Sequence, residues 1–204
     1  MHAPGLAPAS LIYLLLATPW ARQWLEATMS AHMLVQIPLL AGCGFLAASA
    51  LGEARQARLL AALGGPVPCL LAALLASSYW MLPRALDAAL VDPLTELAKF
   101  LTLPALVGAP LALAWRPLGA IGRGFVWNNL ASMLAVLGWL YLAAPVRICN
   151  SYSVFDQTHA GWSMVWLALG LFGAWLGSLF VRPLSGPNRS QTRVSTQEGQ
   201  AWTT

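Results

Sequence analysis

Six apolar segments alternate with short polar connections along the chain, at 5–20, 31–51, 59–80, 97–115, 125–144 and 159–181. About 20 apolar residues in a helix, rising about 1.5 Å each, cross the roughly 30 Å hydrocarbon layer of a bilayer. The last five segments meet that length, and the pattern predicts transmembrane helices. The first, GLAPASLIYLLLATPW, is shorter and barely reaches across. A secretory signal would carry a basic residue before its apolar core. None stands there, so a retained helix is expected. The expected fold is all-α, a polytopic transmembrane bundle of about six spans over 1–181. Beyond it, 182–204 is polar and rich in Ser, Thr and Gln, and is expected to be a disordered cytoplasmic tail.

Composition sharpens this reading. The chain has 204 residues, 58% hydrophobic and only 9% charged, whereas a soluble domain carries about 25% charged residues. Tryptophans suit membrane interfaces, and prolines are tolerated within spans; the chain has ten and fourteen. The net charge of +4 is no nucleic-acid signature, because the basic residues are scattered without a run. Cys43 and Cys69 lie within apolar segments, which argues against a disulfide framework. A Gly-rich phosphate loop, a paired-cysteine zinc pattern and a Ser/His/Asp arrangement are all absent from the sequence.

The basic residues predict orientation. Arg55, Arg58, Arg116, Arg123, Arg182, Arg189 and Arg193 fall on one side of a six-span layout, and Arg22, Arg84, Lys99 and Arg147 on the other. The richer side is expected to be cytoplasmic. Both termini then lie in the cytoplasm.

On this layout the residues with chemistry gather at the outer end. His32 opens the second segment, YWMLP (79–83) closes the third, DPLTELAK (92–99) leads into the fourth, and CNSYSVFDQTHAGW (149–162) leads into the last. Imidazoles at His32 and His159, thioethers at Met29, Met33 and Met81, and the thiol of Cys149 are a donor set suited to copper(I). Met29 and His32, three apart, share a helix face. Gln36 continues that face and is placed to fix the imidazole tautomer. Plainer roles stand beside these. His32 can be a hydrogen-bonded packing residue, and the methionines core filler. Asp156 or Thr158 can cap the last helix. Trp80 with Pro83 reads as an interfacial helix exit, Asn128 and Asn129 as helix glue, and Glu96 with Lys99 as a surface ion pair. Spans without buried ionisable residues argue against a proton-coupled carrier.

Three stretches carry a resemblance. TMSAHML (28–34), WMLPRALDAALVDPL (80–94) and DQTHAGWSMVW (156–166) follow the order of three motifs in the CtaG family. The similarity spans roughly 20–180. That family consists of membrane proteins that assist assembly of caa-type cytochrome c oxidases and handle copper. The chain departs from it where family histidines fall on Thr28, Met81, Glu96 and Phe100, while His32 matches a histidine of the first motif and His159 is an addition. The resemblance implies a metallochaperone, not an enzyme, that ligates copper(I) through His32, Met29, Met81 and His159. Its partners would be membrane lipid and cytochrome oxidase subunits. With histidines lost, the alternative is a non-catalytic accessory subunit of an oxidase or copper monooxygenase complex.

Overall fold

The computed structural model describes residues 5–144 and 146–181. Every regular element among them is helical. The helices are α1 (Leu6–Ala17), α2 (Pro19–Leu25), α3 (Met29–Ser49), α4 (Glu53–Ala62), α5 (Pro66–Trp80), α6 (Pro83–Val91), α7 (Pro93–Trp115), α8 (Ala120–Ala143) and α9 (Val154–Val181). The chain divides into two units, 1–172 and 173–204. The second contributes only the end of α9 to the described residues, and the polar tail 182–204 lies outside them.

Four helices are long and apolar enough to cross a membrane: α3, α7, α8 and α9 up to Phe180. The count becomes five if α4 and α5, bent by 77°, form one broken span. The bend has a local cause. Gly64 and Gly65 take φ of +84° and +100°, a region where a side chain is strained, and Pro66 then starts the next helix. The segment 59–80 is therefore two helices. The first apolar segment is also divided. Thr18 ends α1 and its hydroxyl caps α2, accepting from the Ala21 amide. Twelve residues of α1 rise only about 18 Å.

The two best-packed helices contain π turns, His32–Gln36 in α3 and Leu103–Gly108 in α7. In each, the hydrogen bond reaches back five residues, Ile37 to His32 and Ala109 to Pro104. In each, a proline follows two positions later, Pro38 and Pro110. A proline ring crowds the carbonyl four residues before it, and the wider turn relieves that clash.

Helix α3 packs along α7, with α1 on α3, α5 on α7 and α6 beside the start of α7. Glycines set the closest approach. A Cβ on Gly44 would run into the backbone of Pro104, and one on Gly108 into the backbone of Ala41 and Phe45. Helices α8 and α9 meet in the same way at Gly138 and Gly161. The buried apolar cluster joins Met29, Met33 and Leu40 of α3 with Leu103 of α7, Tyr141 of α8 and Met164 of α9.

Candidate functional site

A buried polar network occupies one end of the bundle, where α3 and α7 begin. Its centre is Lys99, whose side chain is fully buried. Burying an ammonium is costly unless every hydrogen finds an acceptor. Lys99 meets that condition. Its Nζ donates to Glu26 Oε1 at 2.8 Å, to Gln36 Oε1 at 3.0 Å and to His32 Nε2 at 3.1 Å. Three hydrogens meet three acceptors. The Gln36 amide in turn donates to Glu26 Oε1 at 2.9 Å, so that oxygen accepts two hydrogen bonds.

His32 closes the network. Its Nδ1 lies 2.9 Å from the Tyr152 hydroxyl, and that hydroxyl donates to the Glu26 carbonyl at 3.0 Å. With the phenolic hydrogen committed there, Nδ1 must be the donor to Tyr152, and Nε2 the acceptor facing Lys99. The imidazole is neutral and in the Nδ1–H tautomer. The path from Lys99 through His32 and Tyr152 ends on a backbone carbonyl, which cannot pass a proton onward.

The segment before α9 carries Tyr152 into place. Asp87 of α6 accepts from the amides of Asn150 at 2.7 Å and Ser151 at 3.1 Å. Arg147 donates to the Tyr152 carbonyl through Nε and Nη2. Gln157, buried on α9, accepts from the Ile148 amide and donates to the Tyr141 carbonyl. Ser153 and Asp156 cap α9 reciprocally, each side chain accepting from the other's amide. Ser153, and not the expected Asp156, stands at the helix start, and Asp156 bonds back to it from the first turn.

Burial and charge act together on the groups outside the spans. Burial alone would raise the Glu26 carboxyl, but the hydrogen bond and charge of Lys99, then the Gln36 amide, hold it below its ordinary value of 4.5. Burial, with the nearby Asp87 carboxylate, pushes the Cys149 thiol up to about 12. Burial first, then the Glu26 charge, also raises Tyr152. Cys149 is therefore a protonated, inert thiol at neutral pH.

The four residues expected to hold metal part company. Met29 and Met81 are buried in the apolar cluster. His32 is buried, but Lys99 and Tyr152 take both its nitrogens. His159 is exposed on α9, stacked edge-on against Phe155 at 4.3 Å, while its neighbours Gln157 and Ala160 are buried. Among the described residues, no group of three or more His, Cys, Asp and Glu side chains is arranged to hold a metal. A metal at His32 would have to displace Lys99 or Tyr152, and an ammonium at 3.1 Å repels a cation. The arrangement does not fit copper as it stands.

Several expectations need correction. Glu96 and Lys99 do not pair at the surface. Glu96 bonds Arg22, and Lys99 is buried on Glu26. The spans therefore do hold a buried ionisable residue. Trp80 is not an interfacial exit. It is buried, and its indole donates to Thr102 at 2.8 Å. Gln36 is buried as expected, but it orients Glu26 and Lys99 and makes no hydrogen bond to the imidazole. Three of the four segments expected to converge meet through His32, Lys99 and Tyr152, whereas YWMLP (79–83) enters only the apolar cluster, through Trp80 and Met81.

Glu26 and Tyr152 had no signal at their own positions. Lys99 had one. It is the only lysine in the chain, against ten arginines. Three separate acceptors suit a compact ammonium and not a flat guanidinium fork.

Compared with family models, curated proteins and solved structures, the chain matches none.

Proposed function

We propose that this is a CtaG-like multi-pass protein of a bacterial inner membrane that serves as a non-catalytic accessory subunit of a larger oxidase or copper monooxygenase complex. In this reading α1 with α2, and α4 with α5, each complete a crossing. The chain then crosses six times, with both termini in the cytoplasm and the Lys99 network at the outer end. One observation supports the role above the others: His32 spends both nitrogens on Lys99 and Tyr152. The residue that resembles a copper ligand holds helices together instead. The lightly covered helices agree, since α8 and α9 expose Trp139, Trp162 and Trp166. Such faces suit burial against neighbouring subunits.

A second reading keeps oxidase assembly through copper(I) handling. It draws on the sulfur of Met29, Met33, Met81 and Cys149, gathered in one buried cluster, since soft donors favour copper(I). A copper(I) competition titration of the purified protein beside His32→Ala separates the two. The accessory reading expects no binding, or equal binding in both, together with co-purification in fixed stoichiometry with a membrane complex. Binding that collapses in the variant, with the metal absent from the partner oxidase in cells lacking the protein, establishes the copper reading in its place.

A further inference from the structure

A cleft of about 350 Å³ opens between the α1–α2 segment and the start of α7. Its volume falls within the range of small-molecule sites, about 300–1,000 Å³. One part is apolar, formed by Ala17, Leu97 and Phe100, and the other carries Arg22 and Glu96. The Tyr13 hydroxyl at its edge is already committed, donating to the Phe100 carbonyl at 3.2 Å.

The ion pair in the cleft is incompletely satisfied. Arg22 Nη2 binds Glu96 Oε2. That leaves Arg22 Nε and Glu96 Oε1 buried and without a hydrogen-bond partner, a state shared only with Arg123 Nε among the described residues. Natural proteins rarely leave buried donors and acceptors unpaired, and such groups point to a missing partner. Here a cationic donor and an anionic acceptor lie side by side. Their complement is a ligand that carries an anionic acceptor and a cationic donor close together.

Depth identifies its source. Trp20 and Trp24 flank Arg22 on α2, and both are about two-thirds exposed. Tryptophan is enriched at headgroup level, and here it accompanies Arg22 and Glu96, charges that are costly among acyl chains. The apolar lining of the cleft then faces acyl chains.

We propose that this cleft binds a zwitterionic phospholipid with a primary ammonium, a phosphatidylethanolamine. Its phosphate lies on Arg22, its ammonium on Glu96, and the start of one chain along Ala17, Leu97 and Phe100. The Arg22 side chain is about a third exposed, and a small rotation turns its buried Nε to the phosphate. Phosphatidylcholine fits the same shape, but its quaternary ammonium has no hydrogen to donate to Glu96.

The test is native mass spectrometry of the delipidated full chain in detergent, titrated separately with phosphatidylethanolamine, phosphatidylcholine and phosphatidylglycerol. One phosphatidylethanolamine should be retained about tenfold more tightly than phosphatidylcholine, the margin of one charge-assisted hydrogen bond. Glu96→Gln should remove the preference. Leu97→Trp, which fills the cleft and touches neither charge, should abolish retention in a protein that still folds. Glycerophosphoethanolamine, which lacks acyl chains, should compete poorly. Equal retention of both zwitterionic lipids, tighter binding of phosphatidylglycerol, retention unchanged in Leu97→Trp, or full competition by the chain-free headgroup would each overturn the proposal.

Discussion

The ammonium of Lys99 donates to Nε2 of His32 across 3.1 Å, joining the start of α7 to the start of α3. The same ammonium carries a formal charge shared with Glu26. Removing Lys99 leaves a partly buried carboxylate without its partner, a change that typically costs about 3–5 kcal/mol. Lys99→Met should therefore lower unfolding stability in detergent by about that much. Adding Glu26→Gln should restore part of it, since no unpaired charge remains. Lys99→Arg should also destabilise, because a planar fork cannot meet the three acceptors. Additive losses in the double variant would disprove the coupling.

Acid should weaken the bundle through Glu26. Its carboxyl titrates below the ordinary 4.5 in the folded protein. The folded state thus binds that proton less tightly than the unfolded chain does. The resulting stability is complete above 4.5 and is lost as pH falls through the folded value. Asp92, held low by the Thr95 hydroxyl and the amides of Thr95 and Leu94, adds to the same acid limb. Melting temperature in detergent should fall on acidification, and Glu26→Gln should flatten that fall. Cys149 works in the opposite direction. Its pKa is raised from 9.0 to about 12, so its contribution is complete below 9.0 and is lost as pH rises towards 12. Cys149→Ala should make the alkaline limb shallower. An acid limb of unchanged slope in Glu26→Gln would contradict the role of Glu26.

Glycines of the α3–α7 pair should respond differently to the same substitution. Gly44→Ala and Gly108→Ala each force a methyl into facing backbone, and overpacking of this kind costs about 1–3 kcal/mol or more. A Cβ on Gly42 meets nothing within 4 Å. Gly42→Ala should be neutral or stabilise α3 by up to about 1 kcal/mol through helix propensity. Unfolding of the three variants under one detergent condition checks the ordering. A destabilised Gly42→Ala would mean that α3 has a neighbour on that face.

Much of this was legible in the sequence, and the parts that were not share a reason. Apolar runs marked α3, α7, α8 and α9 because length and hydropathy are local properties. The break at Thr18 and the bend at Gly64 and Gly65 sat inside runs whose hydropathy stayed high, so the average concealed them. The position of His32 at a helix start was read correctly. Its partners were not. Lys99 and Glu96 are three apart, and helical spacing favours pairing them with each other. Their real partners, Glu26 and Arg22, lie more than seventy residues earlier in the chain. Hydrophobic pattern carries no information about which distant acid a buried base selects. The lone lysine was the one compositional hint.

The π turns make this architecture sensitive to residue number. Each holds one residue more than an α-helical turn. The first contains His32 and Gln36 of the polar network and precedes Gly44, and the second follows Lys99 and ends on Gly108. Deleting a single position, such as the exposed Leu106, would let α7 close into a regular helix. Everything on one side would then rotate by about 100° relative to the other, and Lys99 or Gly108 would leave its place. Descendants of this gene should accept many exchanges of one apolar residue for another within these turns, and almost no single-codon insertions or deletions there.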